Sequence, residues 1–418
     1  MSSCESHSSR EAWILLAAMG LNSLPLGYTF VVLPIYLSEI GFSGEVIGAI
    51  TAAAAIANTI TIVPFALAAD RYGRKHFVVW GFLSSAAAYV LFAFMHDLNS
   101  LLMASAVAGV GLAGGLSGAV WTPAWTALLA EKASPVKRTR VFAWSQGIWT
   151  IALTTGSILS VLPAFLRTTF QITFVTSHTY VFLILAGLAV LSGLVVIPVT
   201  ELRTKPSEMN GPYHKRFVPR KSLTQITKFS FTLGLVGFAT GVAIQLLSLW
   251  FKKMYGTDET VLGPWFAAAE ITSIVVVPLI PMLTRRWGSP VSVLTTQGSS
   301  AILLGLMIIA PTYQLAGILF IARNFFMNIS WPVQQSYLMG TVTPDERASA
   351  SAISSMLWGV GSSVSTVLGG YLLGIGSYIS MSASILIGAA VYLTSAIAFY
   401  FLFRGTPPPD ETAQLKRC

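Results

Sequence analysis

Charge is what this chain has least of. Only 10% of its 418 residues are Asp, Glu, Lys or Arg, against 54% hydrophobic, where a soluble domain carries about 25% charged residues. A chain without a polar coat takes lipid as its solvent. Cysteine is nearly absent: Cys4 and Cys418 stand one in each tail, so no disulfide framework and no thiolate metal site is expected. The histidines, His7, His76, His96, His178 and His214, are read as loop or tail residues without metal-ligand spacing. Alternating ten-residue strands, the mark of a transmembrane barrel, are missing. So are a phosphate-binding loop and a nucleophile–base pair, which argues against an ATP-driven pump and against an integral enzyme. No cofactor is expected.

What is present is a series of long apolar runs. A helix needs about 20 mostly apolar residues to span a bilayer, and backbone groups in lipid must be satisfied within one segment or a closed barrel. Twelve segments qualify: 13–37, 46–69, 76–95, 98–129, 140–166, 178–200, 225–251, 260–283, 291–310, 315–340, 348–373 and 380–403. The first is too long for a signal-peptide core and is read as a retained helix. The glycine run "GVGLAGG" at 109–115 formally matches a dinucleotide fingerprint. It lies within segment 4 with no strand before it, so helix packing is expected there instead. The sequon "NIS" at 328–330 falls within segment 10.

Cations give the orientation. With the N-terminus inside, 21 of the 25 Lys and Arg fall in inner loops and tails; Arg167, Lys252 and Lys253 fall outside and Arg323 lies within a segment. Inner loops are enriched in Lys and Arg, so both termini are expected in the cytoplasm of a cell with this chain in its plasma membrane. The net charge of +9 is then a topology signal. The cations are spread over separate loops, not gathered in a nucleic-acid patch.

The longest polar stretch, 201–224, carries three prolines and six Lys or Arg and reads as a cytosolic linker drawn to anionic headgroups. The parts it joins repeat each other. A shift of 215 carries Gly41, Gly48 and Gly73 onto Gly256, Gly263 and Gly288; a shift of 209 carries Pro123, Pro135 and Arg138 onto Pro332, Pro344 and Arg347. The expected fold is all-α and integral to the membrane: twelve transmembrane helices in two pseudo-symmetric six-helix bundles, residues 1–200 and 225–418. Parallel repeats of this kind place a substrate site near the bilayer midplane.

The inner loop after segment 2 is the most specific local feature. In "FALAADRYGRKHFVVW" (65–80), Asp70, Arg71, Gly73, Arg74 and Lys75 stand between apolar runs. The string resembles the signature loop of the major facilitator superfamily, Gly-x-Leu-x-Asp-Arg-x-Gly-Arg-Lys, departing from it at Ala66 and Ala68. The resemblance spans roughly residues 13–403. It implies a secondary transporter working by alternating access, with Asp70 contacting the cytosolic end of segment 11 near Ala348 as a gate. From the residues alone, Gly73 permits a turn, the cations hold it at the anionic face, and either Glu131 or Glu201 is a partner for Arg74. A purely topological role for the cations is the alternative.

One acid lies deep in a segment: Glu270, in "GPWFAAAEITSIVVVPL". One base does: Arg323, in "ILFIARNFFMNISWP". At 1.5 Å per residue they lie about 15 and 12 Å below the outer surface. Charges at such depth pair or face water, so the two are read as partners. Glu270 is the candidate proton-coupling carboxylate and Arg323 its counter-ion or an anion contact; a static buried salt bridge is the alternative. Asn22, Tyr28, Gln146, Trp149, Gln245, Asn324, Asn328 and Trp358 are the candidate cavity residues, although buried Asn and Gln also serve to hold helices together.

The missing ATP motif and the one deep carboxylate point to a proton gradient as the drive. The resemblance is closest to drug and metabolite efflux members of the superfamily and implies proton-coupled efflux, by antiport, of a small and largely apolar molecule, expected from a monomer. Protons, the substrate and the bilayer are its expected partners. The exporters it most resembles often carry an Arg in helix 4 and a Gly-Pro pair in helix 5. Here Ser105 holds the first place, and "SQGIWTIALTTGSILSV" lacks the second. Proton-coupled import by symport therefore stays open, as does a transporter-like membrane sensor that binds without transport.

Overall fold

The computed structural model describes residues 2–110, 114–132, 138–201, 222–343 and 346–405. Most of the linker, parts of "SPVKR" and "TPDER", and the tail bearing Cys418 lie outside these residues. Each of the twelve apolar segments is built mainly of helix, some of them with breaks. Segments 1 to 3 are α1 (Ser2–Glu39), α2 (Gly44–Tyr72) and α3 (Arg74–Phe94). Segment 4 is α4 (Leu98–Ala108) and α5 (Gly115–Lys132); segment 5 is α6 (Arg138–Ile158), a 3-10 turn and α7 (Leu162–Phe170); segment 6 is α8 (Phe174–Val196). Segment 7 is α9 (Leu223–Ala239), a π-helical turn (Thr240–Ile244) and α10 (Leu247–Tyr255). Then follow α11 (Glu259–Val275), α12 (Leu279–Leu306), α13 (Tyr313–Thr341), α14 (Arg347–Ile375) and α15 (Tyr378–Phe403). In α12 the helix turns at Gly288. The part before it completes segment 8, and the part after it is segment 9.

Nine helices or joined helices among the described residues are long and apolar enough to cross a membrane. The three segments that miss this measure each carry a polar or broken feature. Segment 4 is interrupted between α4 and α5, segment 8 is divided at 276–278, and segment 10 is diluted by Arg323, Asn324, Asn328 and Gln334.

The interruption in segment 4 corrects the expectation of one continuous helix through "GVGLAGG". The backbone there is left-handed at Gly109 (φ 88°) and Gly115 (φ 57°), a region that costs residues with a Cβ. Side chains take up carbonyls freed by the break: Asn58 Nδ2 donates to Gly115 O at 2.9 Å, and Ser117 Oγ donates to Ala108 O at 3.3 Å. Irregular backbone at membrane depth is tolerated where it is buried in protein or lines a cavity.

The chain forms two compact units. Unit 1 comprises residues 1–42, 49–214 and 258–267; unit 2 comprises 43–48, 215–257 and 268–418. In unit 1, α1 packs on α6 and α8, and α3 on α8 and α5. In unit 2, α9 packs on α14 and α15, and α12 on α13 and α15. The sequence repeat has a backbone counterpart. Gly73 and Gly288 both take positive φ (113° and 72°), as do Gly41 and Gly256 (100° and 69°). Gly48 and Gly263 both sit in helix crossings. A Cβ on Gly48 would meet Gly370 Cα of α14 at 2.8 Å, and one on Gly263 would strike Ser160 Oγ.

Candidate functional site

The loop after α2 is built as a network within unit 1. Gly73 makes the turn with a φ that other residues rarely adopt, and α3 starts at once behind it. The first N–H groups of a helix have no intrahelical partner. Here Glu201 accepts from the backbone N of Arg74 at 2.7 Å and of Lys75 at 3.2 Å, and its negative charge suits the helix N-terminus. Asp70 pairs with Arg74 at 2.9 Å one turn along, and Arg74 reaches Glu131 at 3.9 Å. Both acids left open by the sequence are thus used: Glu131 meets the guanidinium and Glu201 the backbone. Arg71 lies over the Tyr72 ring at 5.6 Å. The network continues through Lys132, which contacts Glu131 at 3.5 Å and the buried Glu11 at 3.0 Å, while Glu11 accepts from Thr200 N and Oγ1.

Glu270 and Arg323 both belong to unit 2, but they are not partners, which corrects the expected pairing. Glu270, half-buried on α11, has no ion pair or hydrogen bond among the described residues. Arg323 is 4% exposed and turns elsewhere. Its guanidinium lies 5.0 Å from the centre of the Tyr392 ring of α15, and its Nη1 donates to Asn324 Oδ1 at 2.9 Å. The Tyr392 hydroxyl pairs with Thr240 of the π-turn at 2.7 Å. Beside it, Gln297 donates to Tyr392 O, and Gln334 donates to Gln297 Oε1. Arg323 is therefore held by a ring face inside a polar cluster of four helical segments. A ring quadrupole attracts a desolvated cation, so this place needs no carboxylate.

The remaining candidates fall in both units. In unit 1, Asn22 and Tyr28 on α1 are buried, with Asn22 Oδ1 and the Tyr28 hydroxyl unpartnered. Gln146 on α6 is exposed, and Trp149 packs against a core of Leu15, Met19, Trp121 and Trp125. In unit 2, Asn328 donates to Thr272 Oγ1 at 3.0 Å and so ties α13 to α11, two residues from Glu270. Gln245 is buried at the end of the π-turn, where its backbone N donates to Thr240 O. Trp358 on α14 is half-buried, and its backbone lies against Gly237 of α9.

Several features were not anticipated. His178 is not a loop residue: it is fully buried one turn into α8. Glu259, at the head of α11, is 1% exposed. Asn58 and the π-turn were also missed. The glycine run was the visible signal for the Asn58 site; nothing in the sequence marks the π-turn.

The profile of the Major Facilitator Superfamily matches residues 15–322 and again 229–417. The chain belongs to this superfamily. Quinolone resistance protein NorA of Staphylococcus aureus (strain MRSA252) is 26% identical over 140 residues, 33% of this chain and 34% of NorA. That match spans about a third of the relative's length. Multidrug resistance protein 1 of Bacillus subtilis (strain 168) is 22% identical over 402 residues, 92% of this chain and 95% of the relative. Among solved structures, a bacterial homolog to the human lysosomal transporter Spinster, in an inward-facing and unoccupied conformation, has a TM-score of 0.71 at 15% identity, covering 95% of this chain and 98% of that one. Nucleoside transporter NupG has a TM-score of 0.73 at 14% identity, covering 94% and 99%. At these identities the structural likeness shows the fold, that of a multi-pass membrane transporter.

Proposed function

We propose that this superfamily member is a proton-coupled exporter of a small, largely apolar molecule, working by alternating access between its two repeats. The observation that carries the proposal is Glu270. It is a carboxylate on an apolar helix that no cation or donor among the described residues satisfies, and an intramembrane acid without a partner is a proton site by its chemistry. It can be charged when facing water and must be neutral when facing an apolar wall. Efflux as the direction is supported by the similarity to NorA and to Multidrug resistance protein 1. In this reading Asn328, two residues from Glu270 through Thr272, and Asn324, Gln245 and Trp358 line the substrate path in unit 2. Asn22, Tyr28, Gln146 and Trp149 do so in unit 1. Arg323 acts through Tyr392 and Asn324 to hold α13 in register. Asp70 to Lys75 are the gating loop. The protein acts as a monomer in the plasma membrane, with both termini cytoplasmic.

The test is flux in proteoliposomes under an imposed pH gradient. Substrate movement against the proton flow supports antiport; movement with it would make the protein an importer by symport. Specific binding without flux in either direction would make it a sensor.

A further inference from the structure

A second group of ionisable side chains lies at the head of α11, eleven residues before Glu270, and the export mechanism above makes no use of it. It gathers three helices within unit 1. Glu259 opens α11, Arg167 is in the last turn of α7, and His178 is one turn into α8. Arg167 Nη2 donates to Glu259 Oε1 at 3.4 Å, and His178 Nε2 stands 3.7 Å from the same oxygen. Glu259 and His178 are both almost wholly buried. The imidazole is enclosed by the Phe174 ring at 4.3 Å and the Tyr36 ring of α1 at 5.0 Å.

The tautomer follows from the partners. His178 Nδ1 lies 2.9 Å from Phe174 O. A carbonyl only accepts, so Nδ1 carries a proton. In the neutral imidazole Nε2 is then an unprotonated acceptor, and it faces a carboxylate, a second acceptor. Nε2 has no hydrogen-bond partner. One added proton changes that: Nε2–H becomes a donor aimed at Glu259 Oε1, and the imidazolium joins Arg167 in neutralising the buried acid. The other groups facing the site do not supply this donor. Ser177 Oγ lies on the Nδ1 side at 3.5 Å. Tyr28 and Tyr36 are neutral phenols on α1. Of the other charges in the imidazole's field, the Arg167 cation opposes a charged ring and the Glu39 carboxylate favours it.

We infer that His178, Glu259 and Arg167 form a proton-binding site that fastens the head of α11 when His178 is protonated. Residues 258–267 belong to unit 1 whereas the rest of α11 belongs to unit 2. The segment is further held by Ser160 Oγ donating to Glu259 O at 2.9 Å and by Phe266 edge-on to Phe30. Glu270 follows on the same helix, eleven residues along. In the orientation proposed above, the site is at the outer face. Acid outside fastens the head of α11 and alkali loosens it. The site adds a proton ligand to the molecule and does not depend on Glu270 or on the direction of transport.

Two measurements test it, neither needing substrate or flux. Failure of the export mechanism therefore leaves this inference standing, and the converse holds. In a Cys4→Ser, Cys418→Ser background, Leu262→Cys places a thiol at a buried position of the fastened segment. Its maleimide labelling in purified protein is normalised to the rate in denatured protein at the same pH. Labelling is expected to rise about tenfold across the titration of His178, scanned from roughly pH 3 to 8 so that a buried imidazole is covered as well as a free one. His178→Gln and Glu259→Gln should each flatten that profile to less than about twofold. An unchanged profile in a folded His178→Gln protein would overturn the inference. Should neither variant fold, NMR of ring-15N histidine decides. In a protein with His7, His76, His96 and His214 replaced by Gln, the single imidazole is expected to pass from imidazolium to the Nδ1–H tautomer across the same range. A neutral ring throughout would overturn the inference.

Discussion

Arg323 shows how one buried cation can be accommodated without an acid. Its guanidinium rests on Tyr392, and that ring is fixed by its hydroxyl to Thr240. A desolvated cation–π contact is worth about 2 kcal/mol and a net hydrogen bond about 1 kcal/mol. Tyr392→Phe, which keeps the ring, is expected to cost about 1 kcal/mol. Tyr392→Leu, which removes the ring, is expected to cost clearly more, since the buried cation then loses its one ring face. Thermal unfolding of the purified protein gives both values. Because Arg323 does not pair with Glu270, Arg323→Gln should lower stability without moving the pH profile of transport. A shift of that profile would restore the ion pair expected from sequence. The existence of both deep charges was legible in the sequence, since a charge in a twenty-residue apolar run stands out. Their partners were not, because helical depth says nothing of the direction in which a side chain turns.

At the scale of the element, the turn from α2 to α3 is held by one glycine and one carboxylate. Gly73 has φ 113°, and a Cβ there would lie 3.3 Å from Glu201 Oε2. Gly73→Ala thus combines an unfavourable backbone region, about 1–3 kcal/mol, with pressure on the acid that caps α3. Glu201→Ala removes the cap alone and is expected to cost about 1 kcal/mol. Both should lower the melting temperature, Gly73→Ala more than Glu201→Ala. The reverse order would mean that the turn is not strained by a side chain. The sequence marked Gly73 by its place in a known pattern, but it did not single out Glu201 from Glu131. The cap comes from 127 residues away, and only tertiary folding brings it there. The break in segment 4 and the π-turn in segment 7 were illegible for a related reason. Both segments are apolar enough to read as unbroken helices, and what meets them comes from elsewhere in the fold: Asn58 of α2 takes the Gly115 carbonyl at the break, and Tyr392 of α15 meets the Thr240 hydroxyl of the π-turn.

At the scale of the molecule, the twelve segments were the most legible feature, because lipid permits few ways to satisfy a backbone. The repeat was legible at glycines whose backbone duty is shared: Gly73 with Gly288, and Gly41 with Gly256. The positive-inside pattern makes a further prediction. An impermeant thiol reagent added outside intact cells should label neither Cys4 nor Cys418, and both should react once the membrane is permeabilised. Labelling of either tail from outside would reverse the orientation, and with it the assignment of Glu259 and His178 to the outer face.

The central claim is that the unpartnered carboxylate of Glu270 carries the proton that drives transport. Glu270→Gln holds that side chain neutral with little change in shape. The direct measurement compares wild-type and Glu270→Gln proteoliposomes in two assays: flux driven by a pH gradient, and exchange of labelled for unlabelled substrate without one. The account predicts that the variant loses gradient-driven flux and keeps exchange. Gradient-driven flux at the wild-type rate in the variant would contradict it.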